Sequence, residues 1–231
     1  LKKLNPGLEI ESCASGGGRI DLGIADYVDR FWVSDNNDAL SRQFIQRWTA
    51  QFLPPELLGS HIGPSPSHQT GRELSLSFRA STALFGHSGI EWDISKVSSD
   101  ELAHLAKWIE YYKSKRKLIH SGKLVRIDFP DASHHLYGSV TENESIFIFA
   151  QLEPTAVSQI PNLRFRDLVP NAKYRVQAVF PAGAVGMMLI KEPEWIKSGA
   201  VMSGDLLQEI GLPAPILQPA QALIIEITRE N

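Results

Sequence analysis

The sequence holds a single cysteine, Cys13, in 231 residues. That excludes an internal disulfide framework and favours a reducing, cytoplasmic compartment. It has no run of about eighteen apolar residues, the length an apolar helix needs to cross a bilayer. The opening residues, Leu1-Lys2-Lys3-Leu4-Asn5-Pro6, lack the apolar centre of a signal peptide. Basic residues form no block: 23 Lys and Arg stand against 26 Asp and Glu, a formal charge of -3. No electrostatic footprint for nucleic acid or an anionic membrane is therefore expected, and neither is foreseen as a partner. No repeat or low-complexity segment occurs. The run Ser15-Gly16-Gly17-Gly18 is not followed by Lys-Ser/Thr, so it makes a poor phosphate cradle. His61, His68 and His87 are not spaced as a zinc helix or finger, and they read as strand-end hydrogen bonders. No metal and no cofactor is expected.

With 43% hydrophobic and 21% charged residues, the chain has the make-up of a globular protein of one large or two modest domains. Its first half reads as strand, loop and helix in repetition, the pattern of βα units. Strands are expected at Gly7 to Ser12, Arg30 to Val33, Leu58 to Ile62 and Gly89 to Asp93, the first of them buried. Asp21 to Tyr27 is the first crossover. Asp38 or Asn37 caps a helix through about Phe52, with Leu40, Phe44, Ile45 and Trp48 at helical spacing. Another helix is expected over Leu74 to Leu84. Ser98-Ser99-Asp100-Glu101 opens a long one through about Lys115, with Leu102, Leu105, Ile109 and Tyr112 on one face. Beyond Leu118 the pattern turns to strand-length windows that alternate or run apolar, with Pro, Gly and Asn between them: strands are expected at Lys123 to Asp128, Leu136 to Val140, Ile146 to Leu152, Tyr174 to Phe180 and Ala222 to Thr228. His120 to Gly122 is the expected linker.

Two blocks in the first forty residues stand out. Glu11-Ser12-Cys13-Ala14-Ser15-Gly16-Gly17-Gly18-Arg19 precedes, by one βα unit, Phe31-Trp32-Val33-Ser34-Asp35-Asn36-Asn37-Asp38-Ala39. Each is a short apolar run ending in small and polar residues, as barrel strands do at an active-site face. The pair resembles the family 36 glycoside hydrolases, the microbial and plant α-galactosidases, with their E-S-C-S-S-G-G-G-R and W-T-S-D-N-T-D-A. The resemblance continues through Ser67-His68-Gln69-Thr70-Gly71-Arg72, Ala83-Leu84-Phe85-Gly86-His87-Ser88-Gly89-Ile90-Glu91, His120-Ser121-Gly122-Lys123-Leu124 and Ser203-Gly204-Asp205-Leu206, so it covers almost the whole chain. Ala14, Val33 and Asn37 depart from the family pattern, which has serine, threonine and threonine there.

The resemblance implies a fold: the C-terminal half of a (β/α)8 barrel over 1–118, then an antiparallel β-sandwich over 119–231. It also implies a longer parent, because the family's nucleophile motif, K-W-D-M-N-R, is absent and Lys107-Trp108-Ile109 is the nearest approach to it. The implied activity is a retaining α-galactosidase acting on melibiose- or raffinose-type oligosaccharides, whose members need no metal. Such chemistry uses two carboxyl groups about 5 to 5.5 Å apart, one to protonate the leaving oxygen and one to attack. Asp35 matches the acid/base. It must hold a proton near neutral pH, which desolvation and a second carboxylate provide. Cys13, Gly16, Trp32 and Asn36 are the implied sugar-binding residues.

Plainer roles compete at each position. Ser-Asp-Asn is common turn chemistry, so Asp35 alone reads as a loop or capping aspartate, and Asp38 reads as a cap. Cys13 alone reads as a buried thiol, Trp32 equally as barrel core or sugar platform, and Trp92 and Trp108 as packing. Arg19 reads as a scaffold residue anchoring its loop or pairing with Asp21 or Asp35. Two other functions stay open: a non-catalytic fragment that binds sugar weakly or assembles only with itself or a missing N-terminal half, half a barrel having open edges, and a sister activity, α-N-acetylgalactosaminidase or galactosyl transferase.

Overall fold

The computed structural model describes residues 1–157, 159–179 and 191–230. The chain divides into two compact units, Leu1–Tyr112 and Lys113–Asn231.

The first unit is built on four short parallel strands: β1 (Glu11–Ser12), β2 (Arg30–Phe31), β3 (Gly59–Ile62) and β4 (His87–Ile90). β1 pairs with β2, Phe31 bridges to Leu58 just ahead of β3, and β3 pairs with β4, so neighbours in space follow chain order. The helices between them are α1 (Leu22–Ala25), α2 (Ala39–Thr49) and α3 (Leu76–Ala83). A side chain starts each one: Asp21 accepts from Ile24 N, Asp38 from Ser41 N and Ser75 from Phe78 N, satisfying backbone donors that a helix N-terminus leaves bare. Pro54 and Pro55 follow α2, and a 3-10 turn over Pro55–Leu57 leads into β3.

The expected first strand is shorter than its apolar run. Only Glu11 and Ser12 pair fully, both half-buried, and residues 1–9 are exposed. β1 has one strand neighbour among the described residues, β2. β4 lies two to three residues earlier than expected, because His87 N bonds Leu58 O and draws the pairing back toward the glycine at Gly86.

α2 reverses the expected amphipathicity. Its buried residues are Ala39, Arg42, Gln43 and Gln46, whereas Phe44 and Trp48 are 39% and 61% exposed. Ile45 alone of the outer apolar positions packs on the cluster of Phe31, Val33, Leu53 and Leu58. The inward amides are held through their nitrogens: Gln43 Nε2 donates to Thr82 Oγ1 of α3 at 2.8 Å, and Gln46 Nε2 to Ser60 Oγ of β3 at 2.5 Å.

The boundary between units falls inside α4 (Ser99–Ser121), which runs through the expected linker residues His120 and Ser121. It continues there because Leu118 and Ile119 are buried, at 4% and 0% exposure, and Gly122 N closes the last turn on Leu118 O. Its buried stripe is Leu105, Trp108 and Tyr111, while Leu102 is 39% exposed, so the face is rotated from the expected one.

The second unit is a six-stranded antiparallel sheet, β5 (Lys123–Ile127), β6 (His134–Val140), β7 (Glu144–Gln151), β8 (Lys173–Val179), β9 (Ala200–Ser203) and β10 (Gln221–Arg229), in the order β5-β6-β7-β10-β8-β9. The expected sandwich is therefore a single sheet among the described residues. One face closes over Phe147, Phe149, Tyr174, Val176, Ile225 and Ile227, covered by Leu163, Phe165, Trp195 and Leu207 from irregular segments and from the short helices α5 (Trp195–Ser198) and α6 (Gly204–Glu209). Those covering segments pair only at the bridge Leu163 to Leu212, too little to make a second sheet. The end of the expected strand at Phe180 lies outside the described residues. β9 escaped sequence reading because it is four residues long, on the sheet edge, with Val201 45% exposed.

On the opposite face, Lys115 of α4 pairs with Glu226 of β10 at 2.9 Å, and Ser139 Oγ of β6 donates to Leu118 O at 2.8 Å. β6 and the inner seven residues of β7 are consequently buried on both faces.

Candidate active site

Parallel strands deliver their C-terminal ends to the same side. The segment after β1 carries Cys13 and the glycine run, and the segment after β2 carries Trp32 to Asp38. The two pack together. Gly16 has a φ of +66°, and a Cβ there would stand 2.8 Å from Asp35 N and 3.3 Å from Asp35 Cγ. Gly17, at φ +101°, would press on Val33 O. Only glycine meets both the left-handed backbone and the close approach. Two residues singled out from sequence, Gly16 and Asp35, are thus neighbours.

Asp35 is exposed at the turn, and Asn36 is half-buried. Asn36 Oδ1 accepts from Asp38 N at 3.0 Å, and Ser34 Oγ accepts from Asn36 N at 3.2 Å, so local side chains shape the turn. Side chains from elsewhere hold its carbonyls: Gln69 Nε2 donates to Asp35 O at 2.7 Å, Arg42 Nε to Asn36 O at 2.7 Å, and Arg42 Nη2 to Ser34 O. Burial pulls the Arg42 guanidinium down to about 10, against the attraction of Glu91, Asp35 and Glu11, so it remains charged at neutral pH.

Asp38 is the cap of α2, as expected. Its side chain is fully buried and accepts from Ser41 N, Thr70 Oγ1 and Arg72 Nη1. Burial opposes the charged form, but those donors outweigh it and hold the carboxyl below the usual aspartate range.

Cys13 is exposed rather than a buried thiol, because β1 ends at Ser12 and has no second strand neighbour among the described residues. Trp32 falls on the core side of its two readings. It is 8% exposed, stacked on His61 at 4.3 Å, with the Arg42 guanidinium carbon 4.0 Å from the ring centroid. Trp108 is core, at 2% exposure, and Trp92 carries Arg79 4.4 Å from its ring. Arg19 is exposed, and the Asp21 carboxylate caps α1 instead of pairing with it.

The histidines act separately. His61 Nδ1 lies 3.0 Å from Glu91 Oε2, which also accepts from Asn37 Nδ2 at 3.0 Å; His87 Nε2 meets Glu56 O at 2.7 Å; His68 meets the Gln69 amide at 2.8 Å. Sequence reasoning assigned no role to Arg42, Gln69 or Glu91. Gln69 and Glu91 lie in recognisable motifs, but Arg42 carries only the signal of a charged residue one helical turn past a cap, which ordinarily marks a solvated face.

Residues 1–122 match the Melibiase family, and residues 133–227 match the glycosyl hydrolase family 36 C-terminal domain. The alpha-galactosidase of Escherichia coli is 39% identical over 236 residues, covering 99% of this chain and 33% of that protein. Among solved structures, the alpha-galactosidase of Lactobacillus brevis superposes with a TM-score of 0.85 at 29% identity, over 100% of this chain and 30% of that one. A variant of the family 36 alpha-galactosidase AgaA of Geobacillus stearothermophilus, solved in complex with raffinose, gives 0.85 at 27% identity, over 99% and 30%. The chain thus spans about a third of the length of the relatives it matches. On the match of its N-terminal 122 residues and its end-to-end likeness to these enzymes, the chain belongs to the melibiases of glycoside hydrolase family 36.

Proposed function

We infer that this chain is the acid/base-bearing portion of a retaining α-galactosidase, with β1 to β4 forming the C-terminal half of a (β/α)8 barrel. The observation that carries the reading is the position of Asp35: an exposed carboxylate after a parallel strand, on a turn pinned through its backbone, with Gly16 pressed against it. Sequential parallel pairing of β1 to β4 supports the half-barrel, whose active-site face lies at the C-terminal strand ends. The solved relatives in complex with raffinose and stachyose favour an α-galactoside oligosaccharide as substrate.

In this reading the Asp35 carboxyl donates its proton to the glycosidic oxygen as a carboxylate nucleophile, supplied by sequence outside this chain, bonds the anomeric carbon. The Asp35 carboxylate then takes a proton from water as that water displaces the enzyme ester, returning both groups to their starting states. Gly16 keeps the loop close to the acid, and Asn36 and Cys13 flank the sugar.

The test is turnover of raffinose by the full-length polypeptide, before and after Asp35→Asn. Loss of about a hundred- to ten-thousandfold is expected. An intact parent that cleaves no α-galactoside would falsify the reading. The same assay with an N-acetylgalactosaminide separates the sister hydrolase, and with a sugar acceptor the transferase. A second reading, a non-catalytic piece that assembles with a missing half, is favoured by β1 and β4, each of which has a single strand partner among the described residues. Turnover by the 231-residue chain alone would overturn it.

A further inference from the structure

Three consecutive carbonyls of the acid-bearing turn are held by side chains from outside it: Ser34 O and Asn36 O by Arg42, and Asp35 O by Gln69. Arg42 is 1% exposed, and its Nη1 has no hydrogen-bond partner among the described residues. A methionine or leucine in that place would pack on the Trp32 ring without desolvating a charge, an exchange that in buried sites is often neutral or stabilising. What an apolar side chain lacks is a rigid fork of donors able to grip two carbonyls at once. The residue serves the turn rather than the stability of the interior. One helical turn earlier, Asp38 is fixed by Ser41, Thr70 and Arg72, so the turn is anchored at its far end as well.

We propose that Arg42, with Gln69 as its outer partner, is a positioning residue that aims the Asp35 carboxyl at the glycosidic oxygen. The inference rests on the acid/base reading of Asp35 and names what sets its geometry. Proton donation in the transition state needs hydrogen-bond distance to the leaving oxygen, and a misplacement of about 1 Å costs on the order of a hundredfold. The cost depends on the leaving group. A sugar alkoxide cannot depart without the proton, whereas 2,4-dinitrophenolate departs with little help.

The experiment compares kcat/KM for raffinose and for 2,4-dinitrophenyl α-galactoside in the full-length polypeptide, for wild type, Arg42→Met, Arg42→Lys and Gln69→Ala. Arg42→Met is expected to lose about a hundredfold on raffinose and less than about tenfold on the aryl substrate. Arg42→Lys restores one contact and part of the loss, and Gln69→Ala shows the same selectivity at about tenfold on raffinose. Equal losses on both substrates in variants with unchanged near-ultraviolet circular dichroism, or no loss, would overturn the proposal by reducing Arg42 to a core residue. Should Arg42→Met fail to fold, Gln69→Ala decides alone, because its side chain is exposed: a selective loss supports positioning, and an unselective or absent one refutes it. A wild type that cleaves neither substrate removes the acid/base reading itself, an outcome visible before any variant is made.

Discussion

One face of the sheet unit buries hydrocarbon where helix α2 of the α/β unit buries hydrogen-bonding groups. Phe147, Phe149, Tyr174, Val176, Ile225 and Ile227 meet in one apolar cluster, and the polar Tyr174 hydroxyl is satisfied by Val169 N and Glu142 O. In the first unit, α2 turns Arg42, Gln43 and Gln46 inward and leaves Phe44 and Trp48 facing out. The contrast follows from what each interior has to hold. A sheet core only excludes water, which any close-packed apolar set does. The layer beneath the Asp35 turn must also fix backbone carbonyls, and the buried Arg42 donates to two of them.

The contrast breaks if the buried groups of the two units respond alike to substitution. The largest effect is expected in the sheet: Phe147→Ala removes a fully buried ring and costs about 3–5 kcal/mol. Loss of amide hydrogen-exchange protection in β6, β7 and β10 measures it within that unit.

Next, Gln43→Ala strands the buried Thr82 hydroxyl and costs about 1–3 kcal/mol, while Trp48→Ser, on the same helix but 61% exposed, shifts stability by less than about 0.5 kcal/mol. Urea unfolding of the pair checks the order, which is the reverse of what hydrophobicity along α2 predicts. A larger loss from Trp48→Ser would mean that the apolar face of the helix is the one in use.

A smaller effect than that of Gln43 concerns Asp38. Its folded pKa is depressed, so the unfolded chain binds the proton more readily, and the carboxylate stabilises the fold above the unfolded value of about 3.9. That contribution fades as pH falls through the folded value. Asp38→Asn keeps a capping side chain but loses the charge facing Arg72. Wild type should therefore exceed it by about 1 kcal/mol near neutral pH. The gap should close in the acid, as thermal unfolding at pH 7 and below pH 4 will read out.

Legibility in the sequence follows the same division. The alternation of Tyr174 and Val176 with Lys173, Arg175 and Gln177 is reproduced as buried and exposed positions of β8. β5, β6, β7 and β10 fall within two residues of their expected bounds, because strand-length apolar windows separated by turn residues mark them. The cap at Asp38 was legible for a similar reason, being a backbone effect of a single residue. The rotated stripe of α4 and the inverted α2 were not, since hydrophobic spacing does not reveal which neighbour a helix will meet.

By itself, then, the sequence determined the family, the order of parallel and antiparallel elements, the local caps and the carboxylate worth testing. These reside in motifs and in short-range periodicity. Tertiary structure alone decided that Gly16 abuts Asp35, that Trp32 is enclosed by His61 and Arg42, and that Arg42 and Gln69 grip the turn between them. Those contacts join residues from separate strand ends and loops, and only when the strands pair does the chain bring their donors within reach of the carbonyls they hold.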